Sequence, residues 1–286
     1  RGRAYRAFLE REGAALRDFA TFMVLDERFA SGAGTPLPWQ NWPDGLNDSK
    51  SAQVQKFRRE HADEVDFHCY VQFELDHQLA VLAQTAKDCG LEIGLFGDLA
   101  IGTAPDGSDP WAFPELFLRD VSIGAPPDDL GPAGQNWGLP PMNPRALRET
   151  GHEFWKRILR NNLAHMGALR IDHVMGLLRQ FWIPGGFDGS AGAYVRFPAE
   201  DLFGILTEES RQSGTIIVGE DLGTVPEGFR ELLQRFGVLS TCVVYFEREW
   251  DGAFKPANCY PSNAYVVVGT HDMAPLAGYA LGRDLV

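Results

Sequence analysis

The rhythm of apolar positions changes near residue 90. Before that point the spacing is helical. Between Ala4 and Phe29, the residues Phe8, Leu9, Leu16, Phe19, Met23 and Leu25 recur among charged neighbours at roughly helical intervals, which predicts one or two amphipathic helices. A polar loop rich in Gly and Pro follows. From Ser51 to Cys89, Val65, His68, Val71, Leu75, Leu79, Leu82 and Ala86 form a second helical stripe, and Gly90 supplies its stop. Beyond Gly90 come short apolar runs: Leu91 to Asp98, Ala168 to Asp172, Thr215 to Glu220, Thr241 to Glu247 and Ala264 to Asp272. Each reads as a buried strand. Helical patterns at Arg145 to Met166, Pro198 to Arg211 and Pro226 to Phe236 lie between several of them. Strand, helix and strand in succession imply a parallel sheet covered by helices, either an open doubly wound sheet or a (β/α)8 barrel. Periodicity alone does not separate the two. The stretch from Ala104 to Pro144 interrupts the pattern; it is long, rich in Pro and Gly, and contains Trp111, Phe113, Phe117 and Trp137. A stretch of that kind in a compact domain is usually a lid or binding loop.

The runs share a terminator. Asp98, Asp172, Glu220, Glu247 and Asp272 each end one of them. A carboxylate facing a dry core is costly, so these ends must reach a polar region open to solvent. In a barrel the C-terminal ends of parallel strands converge on one face, where barrel enzymes place their reactive groups. Side-chain alternation puts Arg170 and Asp172 on a shared face of their strand, and likewise Ile216, Val218 and Glu220 on a shared face of theirs, with Asp221 pointing away. Any one of these acids is adequately explained as a helix cap or a loop anchor. Several of them, brought to one mouth with Arg170, His173 and His271, are better explained as a reactive site. Holding Mg²⁺ on three carboxylates is a rival use of such a cluster, and spacing leaves it open.

Composition narrows the substrate. A chain of 286 residues with 44% apolar and 12% aromatic content can bury a substantial core. Its formal charge of −13 argues against nucleic acid or an anionic membrane as partner and favours a neutral substrate. Cys69, Cys89, Cys242 and Cys259 show no ligand spacing, which implies reduced, mostly buried thiols and a cytoplasmic protein. No apolar run approaches the roughly 18 residues needed to span a bilayer, and the start at Arg1-Gly2-Arg3 has no signal core. The absence of an initiator Met suggests a cropped or processed chain.

The motifs themselves are informative. Ala168-Leu169-Arg170-Ile171-Asp172-His173, Gly219-Glu220-Asp221-Leu222-Gly223-Thr224-Val225-Pro226 and Gly269-Thr270-His271-Asp272 closely resemble those of the 4-alpha-glucanotransferases (amylomaltases, or disproportionating enzymes) of the α-amylase clan. Gly97-Asp98-Leu99-Ala100-Ile101-Gly102 and the long loop with Gly124-Ala125-Pro126-Pro127-Asp128, Gly131-Pro132 and Gln135-Asn136-Trp137-Gly138-Leu139-Pro140-Pro141 match as well. One four-residue pattern recurs by chance, whereas several in the right order do not. Met273 departs from the family, where Asn or Leu is expected.

The resemblance implies a retaining enzyme that moves a segment of an α-1,4-glucan to the 4-hydroxyl of another glucan or of glucose. It requires no cofactor and no metal, and its partners would be maltooligosaccharides. By resemblance Asp172 is the nucleophile, Glu220 the general acid/base, and Asp272 the acid that grips sugar hydroxyls and stabilises the distorted transition state. Arg170, His271 and Asp98 would line the subsite for the donor's terminal glucose, and Gln135, Asn136 and Trp137 would contact sugar. In a retaining mechanism, the attacking carboxylate and the proton-donating carboxyl stand about 5 to 5.5 Å apart. The acid must hold a proton near neutral pH, so the charge of its acidic neighbours is expected to raise the pKa of Glu220. A hydrolase with the same triad and a non-catalytic glucan-binding fragment are the alternatives.

The implied fold is a (β/α)8 TIM barrel, incomplete in this chain. Strands 3 to 7 are recognisable; two upstream and one downstream are missing, so the chain is expected to be part of a longer enzyme and inactive or poorly soluble alone. Residues 1–88 would be a mainly helical insertion and 89–286 the partial barrel, with 104–144 as a substrate-covering loop.

Overall fold

The computed structural model describes residues 2–30, 37–43, 45–128, 131–271 and 273–282. In chain order the strands are β1 (Phe96–Leu99), β2 (Val121–Ala125), β3 (Gln135–Leu139), β4 (Ala168–Ile171), β5 (Arg179–Pro184), β6 (Ala193–Arg196), β7 (Ile216–Gly219), β8 (Leu239–Val243) and β9 (Ala264–Val267). They divide between two compact units. The first comprises Arg1–Leu91, Gly102–Glu153 and Gln180–Arg196; the second comprises Glu92–Ile101, Phe154–Arg179 and Phe197–Val286.

The second unit is built on a parallel sheet of order β1-β4-β7-β8-β9. These five strands fall within the apolar runs of the sequence and form part of a (β/α)8 barrel, but the two edge strands, β1 and β9, are only partly buried. One contact reports the curvature. β1 and β9 occupy opposite edges of this sheet, yet the rings of Phe96 and Tyr265 meet edge to face with centroids 5.2 Å apart. A flat sheet would hold them several strand spacings of about 4.8 Å apart. Curling brings side chains of one face together, as barrel closure requires. Helix Glu153–Leu163 and helix Ala199–Ser213 belong to this unit's α layer. Trp155 Nε1 donates to the Leu202 carbonyl at 3.2 Å, and the buried Glu209 carboxylate accepts from Arg160 at 2.7 Å. Leu159, Leu202, Phe203 and Leu206 are fully buried, each removing apolar area worth about 1.5–3 kcal/mol from water.

Here the strands are shorter than the runs that predict them. Leu91 to Leu95 is irregular, and Leu91, Ile93 and Phe96 are exposed, because β1 pairs only with β4. The expectation of a fully buried first strand is therefore wrong at this edge. The Thr241–Glu247 run ends as a strand at Val243 and continues as a single 3-10 turn, Val244–Phe246.

The first unit is helical at its start. Helix Arg3–Ala30 is kinked at Gly13 and followed by helices Ala52–Glu60 and Ala62–Asp88. Tyr5, Phe8 and Phe73 pack ring against ring, and Tyr5 Oη donates to the Asp66 carboxylate at 2.7 Å. The predicted stripe on the last helix is buried only at its two ends: Val65 and Ala86 are buried, with Cys69 off the stripe, while Val71, Leu75 and Leu82 between them are exposed. Of the cysteines, Cys69 and Cys242 are buried and Cys89 and Cys259 exposed.

The interval 104–144, a loop by sequence, holds a short helix, Ser108–Ala112, and strands β2 and β3. With β5 and β6 they form an antiparallel sheet of order β3-β2-β5-β6. The strands are short, and Pro and Gly lie between them, which hides their alternation from a sequence pattern. Trp111 and Phe117 are buried, and Trp111 Nε1 donates to the Leu46 carbonyl at 2.9 Å, so both are packing residues, as expected.

Candidate active site

Register sets the site. Asp98 pairs with Arg170 across β1 and β4, and Arg170 with Val218 across β4 and β7. Paired residues of a parallel sheet send their side chains to the same face. Two positions on, Asp172 and Glu220 stand next to one another just past the ends of β4 and β7. Their amides still follow the ladder: Asp172 N–H donates to Leu99 and Glu220 N–H to Ile171, both at 2.9 Å. Asp98, Arg170, Asp172 and Glu220 are thus brought to one end of one face.

The two reactive carboxylate candidates have opposite surroundings. Arg170 is a fork between acids, with Nη1 donating to Asp98 and Nη2 to Asp172, each at 2.7 Å. Burial works against its charge, but the bond to Asp98 and the negative charges of Asp172 and Asp98 outweigh it, so the guanidinium pKa is raised. Glu220 is held by backbone amides instead, and the charge of Arg170 is the smallest influence on it. Its Oε2 accepts from the His173 amide at 2.9 Å and its Oε1 from the Leu222 amide at 2.7 Å. Burial pushes its pKa above the ordinary value; the two amide bonds oppose the rise and the charge of Asp172 adds to it. The direction agrees with the sequence argument, but the main cause is burial rather than acidic neighbours. One carboxylate beside a guanidinium and one shifted toward its neutral form make a pair that can separate nucleophile from proton donor.

His173 is unusual. Its backbone is left-handed, with φ 44°, which a non-glycine residue rarely adopts. That bend aims its N–H at Glu220, and the next amide, Val174 N–H, donates to the Glu220 carbonyl at 3.0 Å. Burial lowers the imidazole pKa of His173 despite Asp172 beside it.

The remaining predicted residues belong to other elements or lie outside the described ones. Asp272 lies outside the described residues. His271 is exposed in the turn after β9. Glu247, the fifth strand-end acid, is bound to Lys255 Nζ at 2.7 Å and braces its own loop. Gln135, Asn136 and Trp137 lie on β3 of the first unit, where Trp137 Nε1 donates to Gln135 Oε1 at 3.0 Å and Asn136 Oδ1 accepts from Ser122 Oγ at 2.7 Å. Spacing does not disclose the backbone donors on Glu220. The adjacent Glu220-Asp221 pair was visible, but its consequence was not: Asp221 is fully buried, and its Oδ1 accepts from the Thr241 amide at 2.8 Å.

Comparison with known proteins completes the site's context. The model of a glycoside hydrolase 77 family, described as 4-alpha-glucanotransferase, matches residues 1–284. A 4-alpha-glucanotransferase of Mycobacterium bovis is 39% identical over 286 residues, covering 99% of this chain and 39% of that protein. One from Thermus thermophilus is 33% identical, covering 96% of this chain and 55% of that protein. The crystal structure of amylomaltase from Corynebacterium glutamicum superposes with a TM-score of 0.84 at 34% identity, covering 98% of this chain and 37% of that one. Amylomaltase from Streptococcus agalactiae in complex with acarbose gives 0.81 at 26% identity, covering 94% and 55%. The chain therefore spans from about two fifths to just over half of the length of these relatives.

Proposed function

Because the chain belongs to the glycoside hydrolase 77 family of 4-alpha-glucanotransferases, we propose that it carries the reactive strands of an enzyme that transfers α-1,4-glucan segments between acceptors. The observation that carries this reading is the asymmetric pair: Asp172 on the Arg170 fork, Glu220 buried with a raised pKa on the neighbouring strand. Asp172 attacks the anomeric carbon of the donor while Glu220 gives its proton to the departing glycosidic oxygen, so the C–O bond breaks as the glycosyl-Asp172 ester forms. Glu220, now ionised, takes the proton of the acceptor's 4-hydroxyl as that oxygen displaces Asp172. Asp272 grips the sugar hydroxyls. Asp98, Arg170 and His271 hold the donor's terminal glucose.

Trp137, Gln135 and Asn136 serve as sugar contacts, and residues 104–144 as the cover that keeps water from the intermediate. Residues 1–88 act as a helical insertion and 89–286 as the barrel portion. The acarbose complex of the Streptococcus agalactiae relative supports maltooligosaccharides as partners. No described helix is long and apolar enough to cross a membrane; with the thiol pattern, this supports a cytoplasmic location.

The test is product analysis of the intact enzyme with maltotriose. Glucose and longer oligomers should appear at nearly constant reducing-end number; a steady rise in reducing ends would make it a hydrolase instead. Asp172→Asn should abolish turnover while leaving glucan binding, and unchanged turnover would remove Asp172 from the nucleophile role.

A further inference from the structure

Where β7 stops, side chains take over its bonding to β8, and they do so on both sides of Glu220. Thr241 is the shared partner. Its hydroxyl donates to the Gly219 carbonyl at 2.9 Å, and its backbone N–H donates to Asp221 Oδ1 at 2.8 Å. Glu220 is thus bracketed: the residue before it and the residue after it are tied to one residue of the neighbouring strand. The other Asp221 oxygen accepts from Arg230 Nε at 3.1 Å. Asp221 and Thr241 are both buried, Asp221 completely.

A fully buried carboxylate is a costly way to end a strand, since withdrawing the ion from water costs several kcal/mol before its partners repay it. A Ser or Thr could satisfy the Thr241 amide without that cost. What Asp221 adds is rigidity: two bonds, one of them to a cation, on the peptide that joins Glu220 to Leu222. The Leu222 amide is one of the two donors on the Glu220 carboxyl. Movement of residue 221 would therefore move both the Glu220 backbone and a donor on its side chain.

Given the acid role assigned to Glu220 above, we propose that Asp221 and Thr241 are positioning residues that clamp the general acid/base from both sides of the chain. Neither touches substrate. Their effect falls on proton transfer to the leaving oxygen, the step that depends on where the Glu220 carboxyl sits.

That step can be isolated by changing the leaving group. Cleavage of α-maltosyl fluoride breaks a C–F bond as Asp172 attacks, and fluoride departs without needing a proton from Glu220. Comparing kcat/KM for maltotriose and for α-maltosyl fluoride in the intact enzyme separates a misplaced acid from general damage. Asp221→Asn offers one acceptor where the carboxylate offers two. Thr241→Val keeps shape but loses the hydroxyl. Both should lower kcat/KM with maltotriose by about 10- to 100-fold, the cost of a small misplacement of a reactive group, and leave the fluoride value nearly unchanged. Thr241→Ser, which restores the hydroxyl, should behave as the parent with both donors.

Equal losses on both donors would reduce the clamp to a structural brace and overturn the proposal. So would parental activity of both variants in a protein where Glu220→Ala shows the selective loss on maltotriose. If Glu220→Ala shows no such selectivity, the acid role itself fails, and the clamp has nothing to position.

Discussion

Asp172 and Glu220 show how neighbouring backbone positions give acids different work. The Asp172 carboxylate meets a guanidinium, whereas the Glu220 carboxyl accepts from two backbone amides in a buried setting. The pH dependence follows from that. Glu220 has a raised pKa in the folded protein, and donor cleavage needs its protonated form. The alkaline limb of kcat/KM for maltotriose should therefore lie above the ordinary glutamate value of about 4.3. Fold stability carries the matching sign. A raised folded pKa favours the fold fully below the unfolded value and loses that contribution as pH rises through the folded value. Glu220→Gln, which mimics the neutral acid, should accordingly gain in thermal midpoint over the parent as pH rises through that window, with the two converging at lower pH. A difference that grows instead toward acid pH would contradict a raised pKa. At this scale the sequence is explicit, because the chemistry demands particular side chains: Asp98, Arg170, Asp172 and Glu220 are found together. The amides on Glu220 are not legible, since every residue but proline has one.

Single elements are placed by close approaches that the sequence marks only faintly. Gly167, just before β4, is one. Its amide donates to the Leu95 carbonyl at 2.9 Å, and a Cβ built there would lie 1.4 Å from the Ile93 carbonyl oxygen. Backbone, rather than a flexible side chain, is what it would strike. Gly167→Ala should force the segment leading into β1 away from β4, costing about 3 kcal/mol or more in urea unfolding, and lower activity by displacing Asp98 from Arg170. Strand positions were legible where apolar runs are continuous, as at β4 and β7, which are buried over most of their length. They were not legible at β2, β3, β5 and β6, whose short antiparallel segments alternate weakly among glycines and prolines. The break in the predicted helix from Arg145 to Met166 escaped as well: His152 turns left-handed there, with φ 60°, and the helix restarts at Glu153. The sequence does carry the signal, because Gly151, with φ 63°, ends helix Pro144–Glu149 as a left-handed stop that the single-helix reading passes over.

At the scale of the whole molecule, the strand-end acids fit a parallel sheet of either kind, and the barrel reading comes from the resemblance of the motifs to the family. The chain's organisation into two compact units is less legible. The second and third segments of the first unit, Gly102–Glu153 and Gln180–Arg196, interrupt the parallel strands in sequence, so no composition boundary marks the division. Function should divide with it. If Trp137 helps to keep water from the glycosyl intermediate, Trp137→Ala should raise the share of hydrolysis in maltotriose reactions more than it lowers total donor cleavage. A proportional fall in both, read from reducing ends against total glucose release, would leave Trp137 as a simple binding contact.

The meeting of Phe96 with Tyr265 has a kinetic consequence. Each neighbouring pair of parallel strands can form once one intervening segment has closed, whereas this contact joins the first strand of the sheet to the last and must wait for the whole arc. An interaction formed after the rate-limiting step contributes to the native state's lifetime and not to the folding rate, and the position of this contact across the whole arc assigns it to that class as a prediction. Tyr265→Ala should therefore speed unfolding by several-fold and leave the refolding rate almost untouched. If so, the curvature that gathers the acids forms late and is lost early, and an equal slowing of refolding by Tyr265→Ala would contradict that order.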